Sequence, residues 1–446
     1  MEHAAGERGA GALDPRFVMR VGVVATSYPR WPGDAAGGFV AAHASYLRDA
    51  GAAVDLLAAG HGLPATPGLF FAGGAPEAIE TALASGRPAA LASAFGFSAR
   101  MLAAVAWRAR RWDAVAAHWL VPSAVAAALA PRRIPLLAIA HGGDVHLLAR
   151  ARLLTPVLAL LAARDARLVF ASDQLRRLAL DAIPAPLARR IAARSIVQPM
   201  GVDDMRTAAV VRRRATRPSP PAGEPPTLVV MARLVPIKAV ATAIEAMAYV
   251  RSPARLVIAG DGPLRTALVA QAAPHGERVR FVGWLDSDQR DALLARAAIV
   301  LVPSSPLGDG RSEGTPLAAL EALAAGVPLV ASATGGLLEL GSHGATLVPS
   351  GDPRALAVAI DRVLDRVLDR VLGRTIDVVS SARSSDAPAR ALPIAALGWA
   401  CVGVALDRHW SREPGYAPGP VASPATQASG PAAVAISVPA QVIPVC

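Results

Sequence analysis

The chain has 446 residues, of which 53% are hydrophobic and 18% charged, enough for two domains of ordinary size with filled cores. Its first 18 residues hold five charged side chains and no apolar segment, and no uncharged apolar run reaches membrane-spanning length, so neither a secretory signal nor a membrane anchor is expected and the predicted location is cytoplasmic. The only cysteines, Cys401 and Cys446, exclude a disulfide framework and offer no metal-ligand spacing.

The net charge of +11 comes almost wholly from arginine, since Lys238 is the only lysine among 45 basic residues. Between Arg100 and Arg217 there are 20 arginines, seven aspartates and no glutamate, which gives this part a charge of about +13. A general coding preference for arginine explains much of the excess. The distribution also fits an anionic membrane surface or an acidic glycan as a partner. Nucleic acid is not expected, because no reader motif or interleaved aromatic residues accompany the arginines.

The first elements form a β-loop-α-β unit, the opening of a Rossmann-like domain. The patterns predict a buried strand, a loop, a helix and a second strand at residues 21–26, 27–38, 39–50 and 54–58. Gly37 and Gly38 stand where the loop meets the helix. Because glycine has no side chain, a ligand could approach the backbone closely at this junction.

Two further strands end in polar residues. Residues 114–122 contain a buried strand that runs into a loop at His118, and the strand at 135–140 is followed by His141-Gly-Gly-Asp144. Ligands of open α/β sheets bind at the carboxyl ends of the strands, so His141 and Asp144 are predicted to border a cleft. A purely structural role stays open for both histidines.

A change of composition divides the chain in two. After a strand predicted at 167–172 and the last unit of the first domain at 196–203, residues 207–226 lose all periodicity and contain RRRATRPSPPAGEPP, which predicts a linker. The chain is therefore expected to comprise an N-terminal Rossmann-like domain at 20–206 and a C-terminal one at 227–373.

The second domain begins with a strand that runs into a loop bearing Arg233 and Lys238. A planar guanidinium and a compact ammonium five residues apart can together bind a diphosphate. Because arginine replaces lysine everywhere else, the single lysine indicates a retained role. Further strands and their turns are predicted at residues 255–263, 279–284, 299–303 and 327–331.

Residues 309–336 hold two carboxylates eight residues apart. Glu313 lies in a Gly-rich loop, and Glu321 lies in an Ala/Leu helix. This helix is predicted to begin at Thr315-Pro316, because threonine can cap a helix and proline is preset for its first turn. A helix start carries free N–H groups and partial positive charge, so it favours a phosphate, and Glu313 would face that ligand. Two ordinary solvated glutamates remain the alternative reading.

With these motifs in place, residues 20 to about 372 resemble family 4 of the glycosyltransferases, retaining enzymes of the GT-B fold. The resemblance rests on the joint order of SYPRWPGDAAGGFV, HGGDVHLL, QPMGVD, ARLVPIK, GDGP, FVGW and SEGTPLAALEALAAGVPLVAS. It implies an α/β architecture of two Rossmann-like domains that face each other across a cleft. The two glutamates would then be the E-x7-E motif of that family.

The resemblance also implies a role for each candidate residue. Arg233 and Lys238 would neutralise the diphosphate of a nucleotide sugar. Glu313 would contact the transferred sugar, Glu321 the ribose hydroxyls, and His141 would lie near the donor sugar. The other implied donor-binding positions are Gly37, Gly38, Gly262, Gly314, Thr315 and Leu317, and the implied acceptor-side positions are His118 and Asp144. No metal or cofactor is implied, since the cations themselves stabilise the leaving group, and front-face retention is expected.

The chain departs from this family at two places. Ala232 and Ala239 stand where the family usually has glycine. Near the end, DRVL occurs three times in tandem from Asp361, and every family-like pattern stops after Gly373. The Ala/Pro/Ser-rich tail at 374–446 is predicted to be disordered, and the family's last helix, which braces the N-terminal domain, is not evident. Either a frame-shifting repeat expansion or a lineage-specific extension would explain this tail.

The sequence therefore predicts a hexosyltransferase that uses a nucleotide-diphospho-sugar and a glycan or lipid-linked acceptor. Cell-envelope or polysaccharide biosynthesis at the inner face of the membrane is the expected setting. The alternative is a catalytically impaired nucleotide-sugar-binding protein, because domain closure depends on the missing brace. A sugar-nucleotide epimerase of the same shape is disfavoured by the HGGD and E-x7-E motifs.

Overall fold

The computed structural model describes residues 18–31, 34, 37–63, 71–72, 75–76, 88–131, 134–217, 223–308 and 310–380. The strands of the N-terminal half are β1 Arg20–Val24, β2 Ala53–Ala59, β3 Gly62–Leu63, β4 Phe71–Ala72, β5 Ala75–Pro76, β6 Ala114–His118, β7 Leu136–Ala140, β8 Arg167–Phe170 and β9 Ser195–Val197. Those of the C-terminal half are β10 Thr227–Met231, β11 Arg255–Ala259, β12 Val279–Gly283, β13 Ile299–Val302, β14 Leu329–Ser332 and β15 Thr346–Val348.

Helices connect and cover these strands. In the N-terminal half they are α1 Gly38–Asp49, α2 Pro88–Arg108, α3 Val125–Ala128, α4 Gly143–Arg150, α5 Leu154–Ala163, α6 Asp173–Asp181 and α7 Ala185–Ala192. They continue with α8 Asp204–Ala215, α9 Val240–Ala246, α10 Arg265–Ala272, α11 Ser287–Arg296, α12 Leu317–Ala324 and α13 Pro353–Ser380. Short turns of 3₁₀ type, such as Pro236–Lys238 and Gly335–His343, complete the connections.

The strands form two parallel sheets, as the two predicted Rossmann-like units require. The first has the order β3-β2-β1-β6-β7-β8-β9 and the second the order β12-β11-β10-β13-β14-β15, while β4 and β5 pair separately as an antiparallel ribbon. The direction of winding reverses between β1 and β6 and again between β10 and β13. Ligands of such sheets bind beyond the carboxyl ends of the strands at these reversal points.

Burial explains why these runs become strands. Every residue of β6 and β7 is buried, and such strands, covered on both faces, read as continuous apolar runs. Packing in the first sheet is close, since a Cβ added to Gly22 of β1 would lie 2.4 Å from the ring of Trp112. A separate core fills the second sheet, where α13 packs Leu356, Ile360 and Leu364 against it.

The predicted linker at 207–226 is wrong over its first part. Residues up to Ala215 belong to α8, which begins after Asp203, whose side chain accepts the N–H of Arg206 as a helix cap. Val210 of α8 is buried in the core of the second sheet. The Arg-rich segment has little apolar periodicity, but the contact of Val210 and the contacts of α8 with α11 stabilise the helix.

The predicted boundary at residue 373 falls inside a helix. Helix α13 runs without interruption through all three DRVL copies to Ser380, so part of the predicted tail is helical. The expectation of a disordered tail from residue 381 onwards falls outside the described residues. Across the described ranges no single helix combines the length and apolar composition of a membrane span, although α4 and α5, bent by 117°, meet that test together.

Candidate active site

A cavity of about 910 Å³, here called the interdomain cavity, is lined by both halves of the chain. Its N-terminal wall includes Arg30, Asp34, Gly37, Gly38, Phe39 and Trp119, and its C-terminal wall includes Arg233, Lys238, Asp261, Trp284, Arg290, Leu317 and Glu321. Most of these residues follow the carboxyl ends of β1, β6, β10, β11 and β12. The cavity therefore lies where the reversal points of the two sheets predict a ligand.

An ion pair joins two of the predicted catalytic residues. The Nζ atom of Lys238 lies 2.7 Å from Oε1 of Glu313, and the hydroxyl of Ser304 donates to Oε2 of Glu313 at 3.0 Å. Lys238 ends the short turn that follows β10, and Glu313 belongs to the loop that follows β13. Neighbouring strands thus bring together side chains that are 75 residues apart in the sequence.

The second predicted glutamate lies on the wall of the interdomain cavity and has its own cation. Nη2 of Arg290 lies 2.7 Å from Oε2 of Glu321, and both side chains are half-buried. Next to them, Arg206 of α8 donates to both oxygens of Asp291, with nitrogen–oxygen distances of 2.8 and 3.2 Å. All four of these charged residues line the interdomain cavity.

Sequence reasoning missed Arg206, Arg290 and Asp291. A local signal was available for α11, because Asp286 and Gln289 form a capping box at its start. That signal fixes the helix but not its partners, since Arg206 is 85 residues away from Asp291. Their contact depends on α8, which the sequence presented as a linker.

The helix that bears Glu321 begins one residue later than predicted, and its expected cap is absent. Pro316 occupies the capping position without a side-chain hydrogen bond, and α12 begins at Leu317. The hydroxyl of Thr315 instead donates to the carbonyl of Ala171 at 3.3 Å. Thr315 therefore connects the two halves of the chain and does not cap the helix.

The loop around Glu313 is packed from both sides, and glycine is required for this at Gly335. A Cβ added to Gly335 would lie 1.9 Å from the carbonyl oxygen of Glu313, and one on Gly314 would lie 3.5 Å from the carbonyl oxygen of His141. Gly336 also donates its N–H to the carbonyl of Glu313 at 3.0 Å. The backbone of the predicted sugar-binding loop is held between β14 and the N-terminal half.

The two glycines at the start of α1 differ in their surroundings. Gly37 has φ +68, and a Cβ there would lie 2.5 Å from the carbonyl oxygen of Ser27. A Cβ on Gly38 would meet nothing within 4 Å. Gly37 is therefore needed for the turn itself, whereas Gly38 leaves open space on the wall of the interdomain cavity.

Gly262 serves packing in this structure. A Cβ on Gly262 would lie 2.6 Å from the carbonyl oxygen of Leu234, and one on Gly260 would lie 1.9 Å from that of Ala232. The N–H of Leu234 donates to the carbonyl of Asp261 at 2.9 Å. The GDGP turn is thus fastened to the loop of Arg233, and Gly262 acts through that loop.

Three histidines form a continuous row behind the N-terminal wall. Nδ1 of His43 lies 2.9 Å from Nε2 of His118, and Nδ1 of His118 lies 3.0 Å from Nε2 of His141. Burial lowers the pKa of His43 to about 4 and that of His141 to about 3, and it also holds the pKa of His118 below its usual range. All three rings are therefore neutral at physiological pH.

His118 and Asp144 do not reach the interdomain cavity as acceptor-side residues would. His118 is 0% exposed, and Asp144 is buried as well. The carboxylate of Asp144 accepts backbone N–H groups from Leu120 at 2.7 Å and Gly142 at 3.0 Å. Burial raises the pKa of this carboxyl group, and these amide hydrogen bonds act in the opposite direction. Both residues lie behind the cavity wall, whereas Trp119, the residue next to His118, lines the cavity itself.

Two parallel α/β sheets with one cavity at both reversal points define the GT-B class of architecture. Alr3699/HepE of Anabaena, solved in complex with UDP-glucose, superposes with a TM-score of 0.56 at 19% identity, over 87% of this chain and 100% of that chain. This likeness confirms the predicted fold.

The family comparison concerns the C-terminal half. Residues 225–366 match the family model described as glycosyl transferases group 1. Over this range, about a third of the chain, the protein is similar to the group 1 glycosyltransferases, in agreement with the resemblance predicted from the motifs.

Part of the chain is also similar to curated glycosyltransferases. The amylovoran biosynthesis glycosyltransferase AmsK of Erwinia amylovora is 33% identical over 147 residues, or 31% of this chain and 36% of that protein. The GDP-mannose-dependent alpha-(1-6)-phosphatidylinositol monomannoside mannosyltransferase of Mycobacterium tuberculosis is 38% identical over 130 residues, or 28% of this chain and 34% of that protein. The matches thus span about a third of the length of these relatives.

Proposed function

We propose that the protein is a retaining, metal-independent glycosyltransferase that moves a hexose from a nucleotide-diphospho-sugar to a glycan or lipid-linked acceptor. The observation that carries this proposal is the Lys238–Glu313 ion pair beside the interdomain cavity. The names of the curated relatives support polysaccharide or lipid-linked glycan biosynthesis as the setting.

The ion pair suggests how the donor is received. A diphosphate between Arg233 and Lys238 offers Lys238 a stronger partner than a single carboxylate, because it carries more charge. Glu313 is then released to accept hydrogen bonds from the hydroxyls of the transferred sugar. The same cations stabilise the negative charge that develops on the leaving nucleoside diphosphate as the glycosidic bond breaks. Glu321 would leave its ion pair with Arg290 and accept hydrogen bonds from the ribose hydroxyls.

A thermal-shift screen tests the donor site. A ligand that binds only the folded chain must raise the melting temperature. The screen uses UDP-glucose and GDP-mannose, because the Anabaena protein and the mycobacterial relative name these donors, together with UDP and GDP. We expect the melting temperature to rise with either the uridine or the guanosine nucleotides. Lys238→Ala should remove this rise. Arg280→Ala, which removes an exposed cation on β12, should retain it. The proposal is wrong if no nucleotide shifts a well-folded sample.

Catalysis is separated from binding by Glu313→Gln. This variant keeps the size of the side chain but removes its charge, so donor binding should persist while release of the nucleoside diphosphate from the donor falls by at least about a hundredfold, or about 3 kcal/mol. A wild-type chain that binds the donor without any release would favour the catalytically impaired alternative.

Peripheral contact with an anionic membrane fits the surface of α2. Phe95 is 75% exposed, and Leu102, seven residues further, lies on the same helix face, while Trp107 near the helix end packs under Arg111. Apolar side chains beside arginines are suited to a negatively charged lipid surface. We expect Phe95→Ser to reduce sedimentation of the protein with anionic vesicles at low salt. Val269→Ser, at an exposed position of α10, should leave this sedimentation unchanged. Absence of binding by the wild-type chain would exclude this contact.

A further inference from the structure

The row of three histidines connects the interdomain cavity to the interior of the N-terminal half. His43 lies within α1, His118 ends β6, and His141 follows β7. His43 is 2% exposed and His118 0% exposed, so only His141 is near solvent. The ring of His141 packs on Phe39 and Trp119, with centroid distances of 4.7 and 4.8 Å. Both aromatic residues line the interdomain cavity.

The tautomers of neutral imidazoles in such a row depend on one another. A neutral ring carries one N–H and one lone pair, and each of the two hydrogen bonds needs one of each. If His118 donates through Nδ1 to His141, its Nε2 must accept from Nδ1 of His43. If His141 donates through Nε2, His118 must pass its own proton on Nε2 towards His43. All three rings are therefore either Nδ1-protonated or Nε2-protonated.

A positive charge in the row is the arrangement that would break this rule. A doubly protonated His118 could donate to both neighbours at once. Burial opposes that charge, since the rings lie in an apolar environment between α1 and the sheet. The buried carboxylate of Asp144, three residues after His141, accepts hydrogen bonds from the backbone amides of Leu120 and Gly142. Among the described residues, no three side chains converge as the ligands of one metal ion would.

The outer end of the row is the half-buried His141, which lies against two residues of the cavity wall. Nε2 of His141 is used by His118, and within the described ranges Nδ1 of His141 has no hydrogen-bond partner in the chain. That atom is an N–H donor in one state of the row and a lone-pair acceptor in the other. The state of the row therefore decides whether a hydroxyl bound at Nδ1 of His141 must accept or donate the hydrogen bond.

We propose that His43 is a positioning residue that, through His118, fixes whether Nδ1 of His141 donates or accepts a hydrogen bond beside the interdomain cavity. Its use towards a sugar hydroxyl rests on the proposed function, whereas the shared protonation pattern does not. The two states hold the same number of protons. They differ in whether the N–H outside the two hydrogen bonds is at Nδ1 of His141 or at Nε2 of His43.

The first test reads the protons directly. In the full chain labelled with ¹⁵N-histidine, long-range ¹H–¹⁵N spectra at neutral pH distinguish Nδ1–H from Nε2–H, and His43→Asn, His118→Asn and His141→Asn assign the three rings. We expect one common tautomer for all three. Different tautomers among them, or a doubly protonated His118, would overturn the proposal without any reference to activity.

The second test uses the far end of the row. His43→Phe keeps a ring but removes the hydrogen bond, so His118 and His141 should become mixtures of both tautomers, and kcat should fall about tenfold while KM for the donor changes less than about twofold. His43→Asn, whose amide can take the place of Nδ1, should restore a single tautomer and most of kcat. His275→Phe, in the C-terminal half, is the matched control.

The outcomes separate the two proposals. A donor that shifts the melting temperature, together with unchanged tautomers and kcat in His43→Phe, would refute the role of His43 and leave the proposed function standing. A common tautomer in a chain that binds no donor would do the reverse. If His43→Phe does not fold, the spectrum of His43→Asn still decides, because two independent tautomers at His118 and His141 contradict the coupling.

Discussion

Ala239 has a backbone conformation that suits glycine. It joins the turn Pro236–Lys238 to α9 with φ 43 and ψ 41, in the left-handed region. This conformation costs an L-residue about 1–2 kcal/mol. The resembling family usually has glycine at this point, so the departure from the family is also a local strain next to Lys238.

We expect Ala239→Gly to raise the free energy of unfolding by about 0.5–1 kcal/mol. The gain is smaller than the relieved strain because glycine adds about 0.4–1 kcal/mol of conformational freedom to the unfolded chain. Ala241→Gly, two residues later inside α9, is the matched control and should lower stability by about 1 kcal/mol. Urea unfolding of both variants measures the difference. Destabilisation by both substitutions would contradict the strain at Ala239.

At the residue scale, the sequence was informative where one local pattern carried the chemistry. The spacing of Arg233 and Lys238 and of the two glutamates predicted side chains that the structure places at or beside the interdomain cavity. Arg290 could not be predicted, because its partner Glu321 is 31 residues away and on another helix. His43 gave no signal either, since a histidine inside an amphipathic helix has no local feature that points to a residue 75 positions later.

At the element scale, α13 shows why the DRVL repeat was hard to interpret. Four residues advance a helix by about 400°, so each copy is rotated by about 40° from the one before it. The first copy places Asp361 inside, where its carboxylate accepts the N–H groups of Arg251 and Ser252 at 3.2 and 3.1 Å. The second copy turns Asp365 out to the surface. Identical tetrapeptides therefore have different roles.

We expect Asp361→Ala to lower the free energy of unfolding by about 2–3 kcal/mol, because it leaves two part-buried N–H groups without their acceptor. Asp365→Ala should change it by less than about 0.5 kcal/mol. Burial by itself would raise the pKa of Asp361, but hydrogen bonds from Ser252 and Arg251 outweigh it and leave the pKa lowered. A lowered pKa stabilises the fold above the pKa of the unfolded chain, and this contribution is lost as pH falls through the folded pKa. The difference in unfolding free energy between wild type and Asp361→Ala should therefore be smaller at acidic pH than at neutral pH, and a constant difference would contradict this.

Helix α8 is an element that packing defines against its local composition. Its guanidinium groups hold α11, since Nη1 of Arg214 donates to the carbonyls of Leu294, Ala295 and Ala297 at 3.4, 3.3 and 2.8 Å. The arginines that made the segment look like a linker are thus contacts with the C-terminal end of a neighbouring helix. Apolar periodicity does not predict a helix whose side chains mainly donate hydrogen bonds to backbone carbonyls of another helix.

Val210→Ala should lower the free energy of unfolding by about 2 kcal/mol, because the side chain is 1% exposed in the core of the second sheet. Its neighbour Val211 is half-buried, and Val211→Ala should cost less than about 1 kcal/mol. Equal effects in chemical unfolding would mean that α8 does not pack as described.

At the scale of the whole molecule, a few contacts connect the two halves close to Glu313. The carboxylate of Glu339 accepts the N–H of Asp173 at 2.7 Å, and Ser312 donates to Gln174 at 3.2 Å. The start of α6 carries a partial positive charge, so a glutamate is a suitable partner there. Ser312 and Glu339 lie in the segments that follow the carboxyl ends of β13 and β14. The relative placement of the halves was beyond sequence patterns, which are local.

We expect Glu339→Ala to loosen this connection and to speed hydrogen exchange of the Asp173 amide about tenfold, corresponding to about 1.4 kcal/mol, within the range for a charge at a helix start. Glu339→Gln keeps an acceptor oxygen without the charge and should give an intermediate rate. Glu277→Ala, at an exposed position in the C-terminal half, should leave the exchange unchanged. The loop that bears Glu313 lies in the same contact region, so Glu339→Ala should also weaken the donor-induced thermal shift. Faster exchange without a weaker shift would mean that the halves separate independently of the donor site.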